Sequence, residues 1–323
     1  MIRAFYRNAK GATTIDLPQN TWAAALKDAG GLLWIDLAGE PGPRVEPILR
    51  DLFGFHPLTV NDAIEERNQP KLQAWDRYLY ISAHEVHYPA GDLSEATYEV
   101  DVFLGGNFLV THHIHESAAI DEVWRMTQTG SSALTGQGPD HLLFAVLDEI
   151  ITDHLHAIDR LDDAIDAIED RIFDNPTPAL LAQVFEIKHA VMDLRRVITP
   201  QRDVLGRLGR EDFPWIDTAD KNLYVHLYEH LLHLGDMIDN VRDLTNNSFE
   251  IYLSITSNRQ NEVMKALTLL SALFMPLTVI TGFFGMNFIN LPFDQPWLLW
   301  LALALMLVAP IGLWVYYRRR GWL

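Results

Sequence analysis

The sequence predicts an α+β cytosolic domain, a long helical stalk and two C-terminal transmembrane helices. Three observations carry that expectation. Two uncharged apolar runs, Ala266–Met286 and Trp297–Tyr317, stand near the end of the chain. Short β-rich runs separated by turn residues fill its N-terminal third. Between Trp215 and Met275 there is no proline and one glycine, Gly235.

The N-terminal runs GLLWIDLAG, RYLYISAHEV, TYEVDVFLGG and NFLVTHHI are rich in β-branched and aromatic residues and read as strands. Gly105, Gly106 and Asn107 join the last two as a hairpin turn. The stretch from Arg44 to Glu66 is more helical. A Gly/Ser-rich link near Gly130–Pro139 precedes a change to helical periodicity, with Ile151, Leu155, Ile158, Ile165 and Ile172 keeping a seven-residue rhythm. A second helix covers roughly Pro178 to Leu208. A third runs from Trp215 towards the membrane. Its stripe Leu227, Leu231, Leu234, Ile238, Val241 and Leu244 predicts one face packed against neighbours.

Each apolar run has 21 residues, about 31 Å of helix, which matches a hydrocarbon core of about 30 Å. Arg259 and Lys265 flank the first run, Arg318, Arg319 and Arg320 follow the second, and the connection Phe288–Pro296 has no Lys or Arg. The positive-inside rule then places both chain ends in the cytosol. The expected division is residues 1–130 as the cytosolic α/β domain and 131–265 as the stalk, whose last helix continues into the first span. Residues 266–288 form that span, 289–296 a short external loop, 297–317 the second span and 318–323 a basic cytosolic tail.

The net charge of −18 excludes a nucleic-acid partner, which needs a basic footprint. It suits a solvated acidic surface or a protein that handles cations. The segment Asp140–Asp174 alone has eleven acidic and two basic residues. With no cysteine, disulfides and thiolate metal sites are absent. The first residues, MIRAFYRNAKG, contain no apolar run of signal-peptide length. No nucleophile–base pair, metalloprotease motif or phosphate loop points to an enzyme.

The first span has a polar stripe. Thr268, Ser271, Met275, Thr278 and Gly282 follow steps of 3, 4, 3 and 4 and share one helical face. Such a stripe serves close helix packing or lines a water-filled path. Two helices cannot enclose a path, so the second alternative requires an oligomer. Pro276 removes one backbone hydrogen bond within this span.

The run NEVMKALTLLSALFMPLTVITGFFGMNF, Asn261–Phe288, closely resembles the pore helix of the CorA family of magnesium transporters. Gly285-Met286-Asn287 matches that family's signature triplet, between two terminal spans and after a long uninterrupted helix. FGFHPLTVNDAIEERNQPKLQAWDRYLYI, WIDL at Trp34–Leu37, YLSITSNRQNEVMK and the ending RRRGWL are similar to other parts of the family. The resemblance implies a homopentameric funnel in the bilayer. Asn261, Met264, Leu267, Met275, Thr278, Gly282 and Asn287 would then line its pore, with Ser271 on the stripe between them. Gly285, Met286 and Asn287 would form the selectivity filter.

That filter suits the ion. Mg²⁺ gives up its waters reluctantly, and neutral amide oxygens accept hydrogen bonds from the water shell without trapping the ion. Asn also tolerates the left-handed backbone of a helix C-cap, so the two roles are compatible. Met264, Leu267 and Met275 would make apolar constrictions that close by excluding water. An inside-negative potential of ~100 mV supplies roughly 4.6 kcal/mol for a divalent ion.

The family's cytosolic regulatory site matches Asp62, and its stalk partner falls on His226. The family usually has an acid there and at Asn61, so both positions depart from the pattern. The outer loop LPFDQP departs too, with Asp294 as its one acid. His226, His230 and His233 fall at i, i+4 and i+7, a spacing suited to Zn²⁺, Ni²⁺ or Co²⁺. His113 and His115 are expected on one strand face. Three readings are therefore open: Mg²⁺ influx with Co²⁺ as a second ion, Zn²⁺/Ni²⁺/Co²⁺ transport, and a membrane-anchored sensor or scaffold that conducts nothing. Met286, as the resemblance has it, favours Mg²⁺.

Overall fold

The computed structural model describes residues 1–66, 69–87, 96–129, 132–286 and 295–322. The chain divides into two compact units, Met1–Phe249 and Glu250–Leu323.

The first unit begins with β1 (Ile2–Arg7), β2 (Thr13–Ile15), α1 (Trp22–Ala25), β3 (Leu32–Ala38) and α2 (Gly42–Pro47). A π-helical turn, Ile48–Leu52, leads to α3 (Pro57–Glu65). There follow β4 (Lys71–Ala74), β5 (Leu79–His87), β6 (Ala96–Leu104), β7 (Phe108–His113), α4 (Ala118–Gln128) and α5 (Ser132–Thr135). The long helices are α6 (Pro139–Asp174), α7 (Pro178–Arg210) and α8 (Lys221–Gly285).

The strands form one sheet in the order β2-β1-β3-β7-β6-β5-β4. Among the described strands only β3 and β7 run parallel, in a register that sets Leu33 beside Phe108 and Asp36 beside Thr111. The expected hairpin closes β6 onto β7, with Gly105 N–H donating to Phe108 O at 3.0 Å. β3 is buried on both faces, which is why Leu32–Leu37 reads as a nearly continuous apolar run. Leu33, Ile35 and Leu37 join Val45, Leu49, Phe55, Val60 and Phe103 in a core under α1, α2 and α3. Trp34 and Asp36 alternate to the opposite face, where Trp34 lies 4.8 Å from Trp124 of α4. The charge among these apolar residues is matched. Asp36 accepts from Arg3 Nε at 2.8 Å and Thr111 Oγ1 at 2.6 Å, and meets His113 Nε2 at 3.2 Å. Burial works to raise its pKa, but His113, Arg3 and Thr111 outweigh that and hold it below the ordinary value.

Local chemistry sets the helix starts. Pro139 and Pro178 stand in the first turns of α6 and α7, where a missing N–H costs nothing. Ser117 and Thr177 cap α4 and α7 through Ile120 N and Leu180 N. The expected start of the third long helix at Trp215 is corrected to Lys221. Asp217 and Asp220 make a turn instead. The Asp217 N–H donates to Asp140 Oδ2 at 2.7 Å, and the N–H of Leu223 donates to Asp220 O at 2.9 Å. A run without Pro or Gly does not force helix where Asp side chains offer the backbone other partners.

The stripe on α8 also differs at its end. Leu227, Leu231, Leu234, Ile238 and Val241 are buried, but Thr245 and Ser248 succeed them and Leu244 is only half-buried. The 3.6-residue period carries the buried face past Leu244. Thr245 donates to Val241 O and Ser248 to Glu169 Oε2, so both hydroxyls are satisfied there.

The second unit holds α8 from Glu250 onward and α9 (Pro296–Arg319). Both helices are long and apolar enough to cross a membrane. Pro276 and Pro310 are accommodated inside them without ending the helix. Leu269 and Leu298 are buried within this unit, while Trp300, Leu307, Val308 and Ile311 stand exposed.

Candidate functional site

The membrane-length part of α8 places the expected stripe on an open surface. Asn261, Thr268, Ser271, Thr278 and Gly282 are all exposed. Met264, Leu267 and Met275 are 59, 56 and 67% exposed. Apolar side chains exposed to this extent along a helix require lipid or other protein to cover them.

The hydroxyls on this face have a defined direction. Thr268 Oγ1 donates to Met264 O at 2.8 Å and Thr278 Oγ1 to Phe274 O at 3.0 Å. Each proton is spent on the helix's own carbonyl, so the oxygen offers only its lone pairs outward. An acceptor-only hydroxyl suits the outward-pointing hydrogens of a cation's water shell.

Gly285 is the last residue of α8, and Met286 N–H closes the end onto Phe283 O at 3.3 Å. Gly285 does not take up a left-handed backbone, and a Cβ added there or at Gly282 would meet nothing within 4 Å. Met286 is 56% exposed. Asn287 and positions 288–294, which include Asp294, lie outside the described residues.

The first unit holds the expected regulatory residues. Asp62 on α3 accepts a hydrogen bond from Lys71 Nζ of β4 at 2.5 Å. That ammonium also lies over the Tyr80 ring at 5.4 Å. A fixed cation thus already stands against the carboxylate expected to take a metal, a neighbour that sequence reasoning missed. His226 and His230 of α8 bring their rings to 4.1 Å. His230 and His233 line a cavity of about 370 Å³ with Asp148 and Thr152 of α6. Burial raises the Asp148 pKa, against the pull of His230 and His226. Among the described residues no three His, Asp or Glu side chains are grouped to hold a metal ion, so the His226, His230 and His233 triplet does not form a ready-made site.

The histidines of THHIHE are separated rather than shared on a face. β7 ends at His113, whose Nε2 meets Asp36 and whose Nδ1 meets the backbone oxygen of His115. His115 lies past the strand and stacks on Tyr98 at 3.9 Å. The buried Asp36 fixes His113, a partner 77 residues away in sequence that spacing alone does not reveal.

These features define a class: proteins with a large α/β unit and two C-terminal helices long and apolar enough to cross a membrane, the first of them the end of one unbroken helix. The chain belongs to the CorA family. The model of CorA-like Mg²⁺ transporter proteins matches residues 29–319. YfjQ of Bacillus subtilis is 32% identical over 291 residues, covering 90% of this chain and 89% of that one. The cobalt/magnesium transport protein CorA of Thermotoga maritima is 28% identical over 298 residues, covering 92% of this chain and 85% of the relative. The complete structure of the CorA magnesium transporter from Methanocaldococcus jannaschii superposes with a TM-score of 0.87 at 23% identity. That alignment covers 99% of this chain and 98% of the other.

Proposed function

We propose that this protein transports divalent cations, importing Mg²⁺ through the cytoplasmic membrane as a homopentamer with both chain ends in the cytosol. The observation that carries the reading is the open face of α8, where acceptor-only Thr278 and the exposed Met264, Leu267 and Met275 follow one stripe. A lone chain cannot cover that face, and a ring of identical chains can. In this reading residues 266–288 span the membrane and line the path, and 297–317 face lipid. Residues 1–130 and 131–265 form the cytosolic domain and stalk. Five copies of Asn287 select the hydrated ion at the outer mouth, with Gly285 and Met286 behind them. Co²⁺, with the same charge and its own bound waters, is the second ion expected to pass. The relatives named as cobalt/magnesium and magnesium transporters support this choice of ion.

The test is flux into liposomes containing the purified protein, with Mg²⁺, Co²⁺, Zn²⁺ and Ni²⁺ compared at zero and inside-negative potential. Mg²⁺ entry that grows with the potential is expected. No flux of any ion would leave the non-conducting sensor or scaffold. The contact of His226 with His230 favours one second reading, transport of Zn²⁺, Ni²⁺ or Co²⁺ with these histidines as regulatory ligands. Zn²⁺ or Ni²⁺ flux without Mg²⁺ flux would establish it.

Feedback through Asp62 is expected to be weak, because the Lys71 ammonium repels a dication from the same carboxylate. Asp62→Ala should change inhibition of uptake by cytosolic Mg²⁺ by less than about twofold, the scale of a surface charge pair. A large rightward shift of the inhibition curve would restore Asp62 as a regulatory ligand.

A further inference from the structure

The end of α9 and the turn after it serve neither the stripe nor the histidines of α8. Gly321 takes a left-handed backbone, with φ at +71°. Its N–H donates to Arg318 O at 3.2 Å, and the Trp322 N–H donates to Tyr317 O at 3.1 Å. These two bonds are the Schellman closure of a helix, which a glycine permits because it has no Cβ. The closure turns the chain back, so the Trp322 ring stacks on Tyr317 at 5.6 Å.

Two arginines fold back as well. The Arg318 guanidinium lies over the Trp314 ring at 5.2 Å, and that of Arg320 over the Tyr316 ring at 5.7 Å. Each ring is four residues earlier in the chain, about one helical turn nearer the middle of the apolar run. A lone arginine at the end of a span extends towards water. Here the ring faces attract both cations and hold them at the depth of the aromatic residues. Trp and Tyr at the end of a span sit at the level of the lipid headgroups. Arg318 and Arg320 are two positions apart, about 200° around the helix, so their cations stand on opposite flanks.

The arginines of the first unit have carboxylate partners, as Arg3 has Asp36, Arg44 has Glu40 and Arg207 has Glu211. Among the described residues no carboxylate forms an ion pair with Arg318, Arg319 or Arg320, and all three are exposed. The planar fork of a guanidinium matches two oxygens of a phosphate at once. At headgroup depth the anion at hand is the lipid phosphate.

We propose that Arg318 and Arg320, backed by Trp314 and Tyr316, form a collar that binds the phosphates of anionic phospholipids in the cytosolic leaflet, with Arg319 adding to the charge between them. The collar sets the depth of α9. Moving the helix outward would strip the phosphates from the arginines, and moving it inward would drive the charges into hydrocarbon. The composition of the leaflet thereby acts on the second span. This rests on the reading that the end of α9 lies at the cytosolic face of the membrane.

The test is native mass spectrometry of the full-length protein in detergent, titrated with phosphatidylglycerol or with phosphatidylcholine of the same acyl chains. Wild type should retain phosphatidylglycerol in preference, and added inorganic phosphate should not displace it. An arginine near an anionic surface contributes about fivefold in affinity. Arg318→Gln and Arg320→Gln should each weaken retention by roughly that factor, and independently, because they lie on opposite flanks. A double variant, Arg318→Lys with Arg320→Lys, keeps the positive charge that orients the span. It should still retain the lipid less tightly than wild type, because the fork is lost. Retention by the Gln or Lys variants equal to that of wild type overturns the collar. So does equal retention of the two lipids by wild type. Displacement by inorganic phosphate overturns it in favour of a soluble anion. Lipid retention is read without ion flux, so a failed collar leaves the transport reading standing, and liposomes without flux leave the lipid titration to be judged by itself.

Discussion

Asn287→Ala should reduce potential-driven Mg²⁺ uptake to the level of empty liposomes, at least a ~10-fold loss, while leaving the oligomer intact on native gels. In the proposed pore each copy contributes one amide oxygen at the outer mouth. Replacing the amide by a methyl group removes all of them together. The ion would meet an apolar rim there, with its water shell unsupported. An ion that dehydrates reluctantly has no alternative partner at that point. Asn287→Asp sharpens the test. It keeps an oxygen but adds a full charge per copy, so Mg²⁺ should bind more tightly and leave more slowly, lowering the maximal rate. Uptake unchanged in Asn287→Ala would remove the selectivity claim, whatever the fold.

Much of the architecture was legible because it rests on periodicity and length. The two apolar runs gave α8 and α9 because a bilayer admits few alternatives to a helix of that length. The β3 run was legible because a strand buried on both faces is apolar throughout. The edges of elements were less so. The start at Lys221 depends on Asp217 and Asp140 meeting across 77 residues, which no local window contains. The polar ending of the α8 stripe, at Thr245 and Ser248, was missed because hydroxyls count as surface residues until a helical carbonyl or Glu169 is seen to satisfy them.

The candidate site divides in the same way. The exposed stripe from Asn261 to Gly282 follows from one helix and its spacing. Residues whose meaning depends on a partner from elsewhere did not follow. Asp36 meets His113 across 77 residues, and Lys71 reaches Asp62 from the next element along the chain. A single sequence carries no signal for such pairs beyond a charged residue within an apolar run. Asp36 in LLWIDLA was that signal.

Trp34→Ala should cost the first unit about 3–5 kcal/mol, the range for removing a buried aromatic side chain. Trp34 is fully buried, 4.8 Å from the Trp124 ring. Its Nε1–H donates to Thr111 Oγ1 at 3.1 Å. That hydroxyl in turn donates to Asp36 Oδ1 at 2.6 Å, and Asp36 holds Arg3 and His113. The substitution therefore leaves a cavity between β3 and α4 and loosens the chain of donors around a buried carboxylate. A loss of this size is a large share of the roughly 5–15 kcal/mol that holds an ordinary domain together. The expected result is a melting temperature lower by about 10 °C or more, with poor accumulation of the protein in membranes. Trp34→Phe separates the two contributions. It fills most of the cavity and removes only the indole donor, so a loss of about 1–2 kcal/mol is expected. Equal losses in the two variants would make the hydrogen-bond chain to Asp36, rather than the packing against Trp124, the main support of this junction.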